Sequence, residues 1–189
     1  MNVNDLFIIL KADHPMELIK AREDEVFKLI PELKRCKGFN QNSPWHIYDV
    51  YEHILHVVDN VPNDLVIRLA ALFHDIGKPL SYSVDEDGVG HFYGHWVTSD
   101  EIFYDFALRN CLDEELTDRI SNLIFYHDLN FDHLNDDDLK KANDLFSRDD
   151  LMRLFILKKA DLLAQNNKYH NLLDNLYKQE LHLLKAKKD

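Results

Sequence analysis

The chain has 189 residues, with 22 Lys and Arg against 34 Asp and Glu and a formal net charge of -12. That balance excludes a protein that coats nucleic acid, which needs clustered Lys and Arg, and leaves short nucleotides or RNA ends held in a local pocket. A hydrophobic content of 46% with only five Gly and five Pro excludes a disordered chain and predicts a folded, mostly helical protein, of a length that suits one domain across 1–189.

Two cysteines, Cys36 and Cys111, match no metal or redox spacing. The apolar run Leu6 to Leu10 is too short for a signal core or a membrane span. A cytoplasmic protein with no membrane partner is expected. Its eleven histidines matter more than its net charge, because several fall inside apolar patterns.

From Pro15 to Leu33, apolar positions at Leu18, Ile19, Val26, Phe27, Leu29, Ile30 and Leu33 predict an amphipathic helix, with Pro31 as a kink or break. Turn residues from Gly38 to Trp45 lead into a helix from about Tyr48 to Val61. Its apolar face is Val50, Ile54, Val57, Val58 and Val61, and His53 lies at the edge of that face, as a satisfied core histidine or as a ligand.

The next helix, Asp64 to Ile76, carries Leu69, Leu72, Phe73 and Ile76 at helical spacing, with Gly77 and Pro79 as its stop. His74 and Asp75 fall in its last turn, near the core, where a carboxylate is costly unless paired or bound to metal. Successive helical residues diverge by about 100°, so the pair could flank one ion, or Asp75 could bridge two. A capping Asp beside a packed His is the alternative. A short connection makes the two helices antiparallel neighbours, so that His53 and His74 converge at one end.

Residues 81–93 break the helical rhythm and predict a small β-hairpin or ordered loop turning at Asp87-Gly88. Gly90-His91 and Gly94-His95 repeat a Gly-His pair. His95, anchored at a helix start, is the preferred ligand of the two. A helix from Glu114 ends at His127, which with Asp128 forms a second His-Asp pair. Asp132 to Asp138 reads as a solvated connection that includes His133. Ser147 caps the following helix, and Asp161 shares a face with Leu154, Leu157 and Lys158, as a metal ligand or as the partner of Lys158. A last helix from about Tyr169 packs through Leu172, Leu173, Leu176, Leu183 and Leu184.

The order His53, His74-Asp75, Asp161 resembles the HD superfamily of metal-dependent phosphohydrolases. Gln41, His46, Tyr48-Asp49, Glu52-His53, the run Arg68-Leu-Ala-Ala-Leu-Phe-His-Asp-Ile-Gly-Lys-Pro79 and Phe92-Tyr-Gly-His95 are similar to the HD region behind the nucleotidyltransferase head of bacterial CCA-adding enzymes. The chain lacks a Gly-Ser followed by paired catalytic carboxylates, so CCA addition is not expected.

The resemblance implies an all-α HD helical bundle with a core of about residues 17–165 and a C-terminal packing helix of about residues 168–186. It implies His53, His74, Asp75 and Asp161 as metal ligands, His95 and His127 as holders of a second ion, and hydrolysis of phosphomonoesters or phosphodiesters in nucleotides, 2′,3′-cyclic phosphates or RNA ends. One or two ions of Mn, Fe, Co, Ni or Zn suit an imidazole and carboxylate donor set. Such an ion lowers the pKa of bound water and neutralises phosphoryl charge. Asp75 and Lys78 are the catalytic candidates, Lys78 as a phosphate holder or as a lysine complementing the helix dipole. His46, Arg68 and His91 are candidates to contact substrate or steady the ligands. A di-iron oxygenase and a non-catalytic nucleotide-sensing or partner-binding module are the alternatives.

Overall fold

The computed structural model describes residues 1–131, 140 and 144–187, and the expected 132–138 connection with His133 lies outside them. The helical expectation holds. In chain order the helices are α1 (Val3–Leu10), α2 (Pro15–Ala21), α3 (Glu23–Leu29), α4 (Pro31–Cys36), α5 (Val50–Asn60), α6 (Leu65–Phe73), α7 (His95–Arg109), α8 (Glu114–Tyr126), α9 (Arg148–Leu163) and α10 (Leu173–Ala186). Short 3-10 turns cover Lys78–Leu80 and Asn167–Leu172. Among the described residues, no helix is long and apolar enough to cross a membrane.

Helix α6 is the axis of the bundle. Asp64 caps it by accepting from the N–H groups of Val66 and Ile67, and every residue from Val66 to Phe73 is buried. A helix that is apolar all round must be covered on all sides, and α1, α5, α7, α8 and α9 pack against it. Asp64 also accepts two hydrogen bonds from Arg153 at 2.8 and 3.0 Å, which fixes α9 against the start of α6. Helix α5, capped by Asp49 through the Glu52 N–H, buries Val50, Ile54, Val57 and Val58.

The single amphipathic helix expected from Pro15 to Leu33 is three short ones. Ile30 leaves the helical region (φ -127, ψ 79) because the residue before a proline is driven out of it, so Pro31 does break the helix. A further break falls at Arg22, where φ is -119. The last α-helix starts at Leu173, after the 3-10 turn.

Gly77 acts differently from a helix-stopping glycine. Its φ is -78, open to any residue. A Cβ there would lie 2.6 Å from Ser99 N and 2.8 Å from His95 O, so Gly77 is the point where the start of α7 presses on the turn after α6. Its N–H donates to Ser99 Oγ at 2.9 Å.

The expected hairpin is formed by β1 (Ser83–Val84) and β2 (Gly90–His91), antiparallel with Ser83 opposite His91. Gly88 takes the left-handed turn conformation at φ +79. Gly90 N–H donates to Asn42 O and Asn42 Nδ2 donates to Gly88 O, pinning the hairpin to the segment that carries Gln41, Trp45 and His46.

Candidate metal centre

Four elements bring their histidines to one end of α6. His53 comes from α5, His74 from the C-cap of α6, His95 from the first residue of α7 and His127 from the C-cap of α8. Asp75 lies among them with only 1% of its surface exposed. One of its carboxylate oxygens, Oδ2, lies 3.2 Å from His53 Nε2 and 3.3 Å from His74 Nε2. The other, Oδ1, lies 3.2 Å from His95 Nε2 and 3.6 Å from His127 Nε2. Asp161, from the last turns of α9, closes the first group with Oδ1 at 2.9 Å from His53 Nε2. Two clusters able to hold a cation therefore share one carboxylate: His53, His74, Asp75 and Asp161, and Asp75, His95 and His127.

Three of the imidazoles are oriented by their own backbone. The Nδ1 atoms of His74, His95 and His127 lie 2.7 to 2.8 Å from the carbonyls of Ala71, Phe92 and Ile124, each three residues earlier. A carbonyl only accepts, so each Nδ1 carries a proton and each ring turns Nε2 to the cluster. His74 Nε2 is buried and makes no hydrogen bond. His95 and His127 face each other Nε2 to Nε2 at 3.3 Å, with Asp75 Oδ1 beside both. Such a convergence of acceptors is stable only around a cation or a proton, and the donor set fits a divalent metal ion.

The titration behaviour has the same cause. Burial opposes ionisation of Asp75, yet His74, Lys78, His127 and His53 hold its carboxyl well below the usual carboxylate range. Burial likewise opposes ionisation of Asp161, and the hydrogen bond and charge of His53 outweigh it and lower the carboxyl. His53 is the counterpart: burial disfavours its charge, but Asp161 and Asp75 raise it to about 9. His127 is pushed down by burial, with His74 and His95 acting in the same sense against Asp75.

Lys78 is buried in the 3-10 turn, with Nζ 2.6 Å from Asp75 Oδ2 and 2.9 Å from Gln41 Oε1, over the ring of Phe92. A cavity of about 430 Å³ opens over this group, lined in part by Trp45, His46, Lys78, His91, Phe92, Tyr93 and Trp96 together with the metal-seeking residues. That volume falls in the range of small-molecule pockets, about 300 to 1,000 Å³. His46 is a wall residue with its ring 5.2 Å from that of His53, and burial, then Lys78 and His53, depress its pKa to about 3, so it is neutral. His91 reaches the same cavity from β2, with Nε2 2.8 Å from Asp85 Oδ2.

Arg68 is elsewhere, which corrects the expectation that it contacts substrate or ligands. Its Nη1 donates to the carbonyls of Leu10 and Ala12, so it ties down the end of α1. Lys158 also departs from expectation. Rather than pairing with Asp161, its Nζ donates to His127 O at 2.6 Å and Leu129 O at 2.8 Å, and burial pushes the ammonium down to about 8. Gln41, Trp45, Trp96, Asp128 and Gln165 line the site or bond to it although spacing did not single them out. Two of them had a signal, Gln41 as part of the motif around His46 and Asp128 as half of the second His-Asp pair.

A bundle of helices that gathers a His, a His-Asp pair and a distant Asp around a buried, cation-seeking centre has the architecture of a metal-binding helical domain. The chain belongs to the HD domain family, which its residues 46–166 match. That family is part of the superfamily of metal-dependent phosphohydrolases.

The chain is 32% identical to the CC-adding tRNA nucleotidyltransferase of Thermus thermophilus over 140 residues, 71% of this chain and 29% of that protein. It is 38% identical over 72 residues to the A-adding tRNA nucleotidyltransferase of Deinococcus radiodurans, 35% of this chain and 16% of that one. With the bifunctional uridylyltransferase/uridylyl-removing enzyme of Gluconobacter oxydans it shares 31% identity over 177 residues, 76% of this chain and 17% of that one. The chain thus spans less than a third of the length of each of these relatives.

Proposed function

We propose that the protein is a metal-dependent phosphohydrolase acting on a nucleotide, a 2′,3′-cyclic phosphate or an RNA end, with His53, His74, Asp75 and Asp161 as ligands of one ion and Asp75, His95 and His127 as ligands of a second. The observation that carries this reading is the division of the Asp75 carboxylate, one oxygen toward each pair of imidazoles. Imidazole and carboxylate donors suit Mn, Fe, Co, Ni or Zn. A bound divalent ion would supply Lewis acidity, lowering the pKa of a water and neutralising phosphoryl charge.

The chain's own residues do the rest. Nδ1 hydrogen bonds fix three of the rings, so the donors are oriented before any ligand arrives. Lys78, held by Gln41, is the one lysine or arginine among the described residues lining this cavity, and its ammonium would hold a phosphoryl oxygen. The aromatic side chains of the wall suit the planar base of a nucleotide. The relatives named for tRNA and uridylyl chemistry are in keeping with a nucleotide substrate.

The test is a phosphate-release screen of metal-supplemented protein over nucleotides, 2′,3′-cyclic nucleotides and generic esters. Hydrolysis that chelator abolishes is the expected result. Iron-dependent oxygen uptake without phosphate release would instead indicate an oxygenase. Thermal stabilisation by nucleotides with no turnover would indicate a binding module.

A further inference from the structure

The cavity over the metal centre does not end there. A second cavity of about 300 Å³ shares His127, Asp128, Asp161, Leu162, Gln165 and Leu172 with it, and runs away between α9 and α10. The two arms differ in chemistry. The first is aromatic: Trp45 stacks on Tyr169 with ring centroids 3.6 Å apart, Tyr93 is 75% exposed beside His91, and Trp96 completes the wall. The second is walled by the amides of Asn130, Gln165, Asn175 and Gln179 together with Leu172 and Leu176.

The arms meet at Asp161 and His127, so a phosphorus atom at the metal centre would have space for a substituent on each side. A phosphomonoester has one organic substituent and would leave one arm filled by water. A cyclic phosphate carries both ester oxygens on one sugar and likewise occupies one arm. A linear diester has a substituent for each. The lysines lining the two arms are Lys78 in the first and Lys158 in the second, the latter held by the carbonyls of His127 and Leu129, in a protein of net charge -12. The two small volumes and that charge disfavour a long polyanion.

Resting on the phosphohydrolase reading, we propose that the preferred substrate is a short linear phosphodiester, with a planar base stacked in the aromatic arm and a polar group such as a second nucleoside in the amide arm. Hydrolysis adds water across one P–O ester bond. The water oxygen joins phosphorus, the leaving oxygen takes a proton, and the products are one phosphomonoester and one alcohol.

Trp45 and Trp96 are the chain's two tryptophans and both line the aromatic arm, so tryptophan fluorescence reports on it directly. Metal-free protein is titrated with a 3′,5′-linked dinucleoside monophosphate and with the matching nucleoside monophosphate and 2′,3′-cyclic phosphate. At least tenfold tighter quenching by the dinucleotide is expected. The exposed Asn175→Phe substitution, which narrows the amide arm, is expected to erase that preference and to lower the diester-to-monoester ratio of kcat/KM about tenfold. Equal affinity for all three ligands, or an Asn175→Phe variant with an unchanged ratio, overturns the two-arm proposal. Metal-loaded protein that hydrolyses monoesters or cyclic phosphates but not the dinucleotide overturns it while leaving the phosphohydrolase reading intact. Tight dinucleotide binding without hydrolysis of any ester defeats that reading instead.

Discussion

The ammonium of Lys78 lies 2.6 Å from Oδ2 of Asp75, the same oxygen that faces His53 and His74. A fixed positive charge on a proposed ligand atom competes with a cation there, and a metal on Oδ2 would release the ammonium toward substrate. Lys78→Met is therefore expected to tighten metal binding about three- to tenfold, equivalent to about 0.7 to 1.4 kcal/mol, while kcat/KM for phosphate esters falls by about a hundredfold. Metal titration and steady-state kinetics on the same preparation check both. Weaker metal binding in the variant would mean that Lys78 supports the ion site.

Gly77 sets the distance between α6 and α7. In Gly77→Ala the new Cβ would meet backbone atoms of Ser99 and His95 at 2.6 and 2.8 Å, so the start of α7 must move. A loss of about 1 to 3 kcal/mol in denaturant unfolding is expected. Because the moving segment carries His95, binding of a second ion should weaken more than binding of the first.

Arg68 should behave as a scaffold residue. Arg68→Met leaves the carbonyls of Leu10 and Ala12 without their charged donor in a buried setting, a loss of about 2 to 3 kcal/mol. Metal content and KM are expected to stay at wild-type values. A raised KM with unchanged stability would restore Arg68 to the site.

The pH dependence of the metal-free protein follows from His53. Its pKa is raised to about 9, so below the ordinary value of 6.5 its contribution to stability is fully present, and it is lost as pH rises through 9. His46, depressed to about 3, and His56 and His127, lowered chiefly by burial, have the opposite sign, and they finish titrating in both states only above about pH 7.5, a unit past the ordinary value. Lys158, lowered to about 8, adds stability with rising pH only above that value. Between about pH 7.5 and 8 the slope therefore belongs chiefly to His53, and the Tm of metal-free protein should fall. His53→Asn should flatten that fall. A metal-free Tm that rises across the window would contradict the geometry of the His53, Asp75 and Asp161 group.

The convergence of His53, His74 and Asp75 was legible because apolar helical spacing places each side chain on a face and antiparallel helices align their ends. Arg68 shows where spacing stops informing. It lies six residues before His74, about 240° round the helix at about 100° per residue, and so points to α1 although it belongs to the same motif. The direction of Lys158 depends on the end of α8, thirty residues away, whose carbonyls outcompete the nearby carboxylate. Gln41 meets Lys78 across 37 residues, and Trp45 meets Tyr169 across most of the chain. Such contacts are tertiary and carry no local periodicity.

The central claim is that Asp75 divides its two oxygens between two ions, and metal stoichiometry tests it most directly. Elemental analysis of metal-saturated protein should give two ions per chain for the wild type, one for His127→Ala, and none for Asp75→Ala, with phosphate release lost in the last. An Asp75→Ala variant that keeps its full metal content and rate would contradict the account.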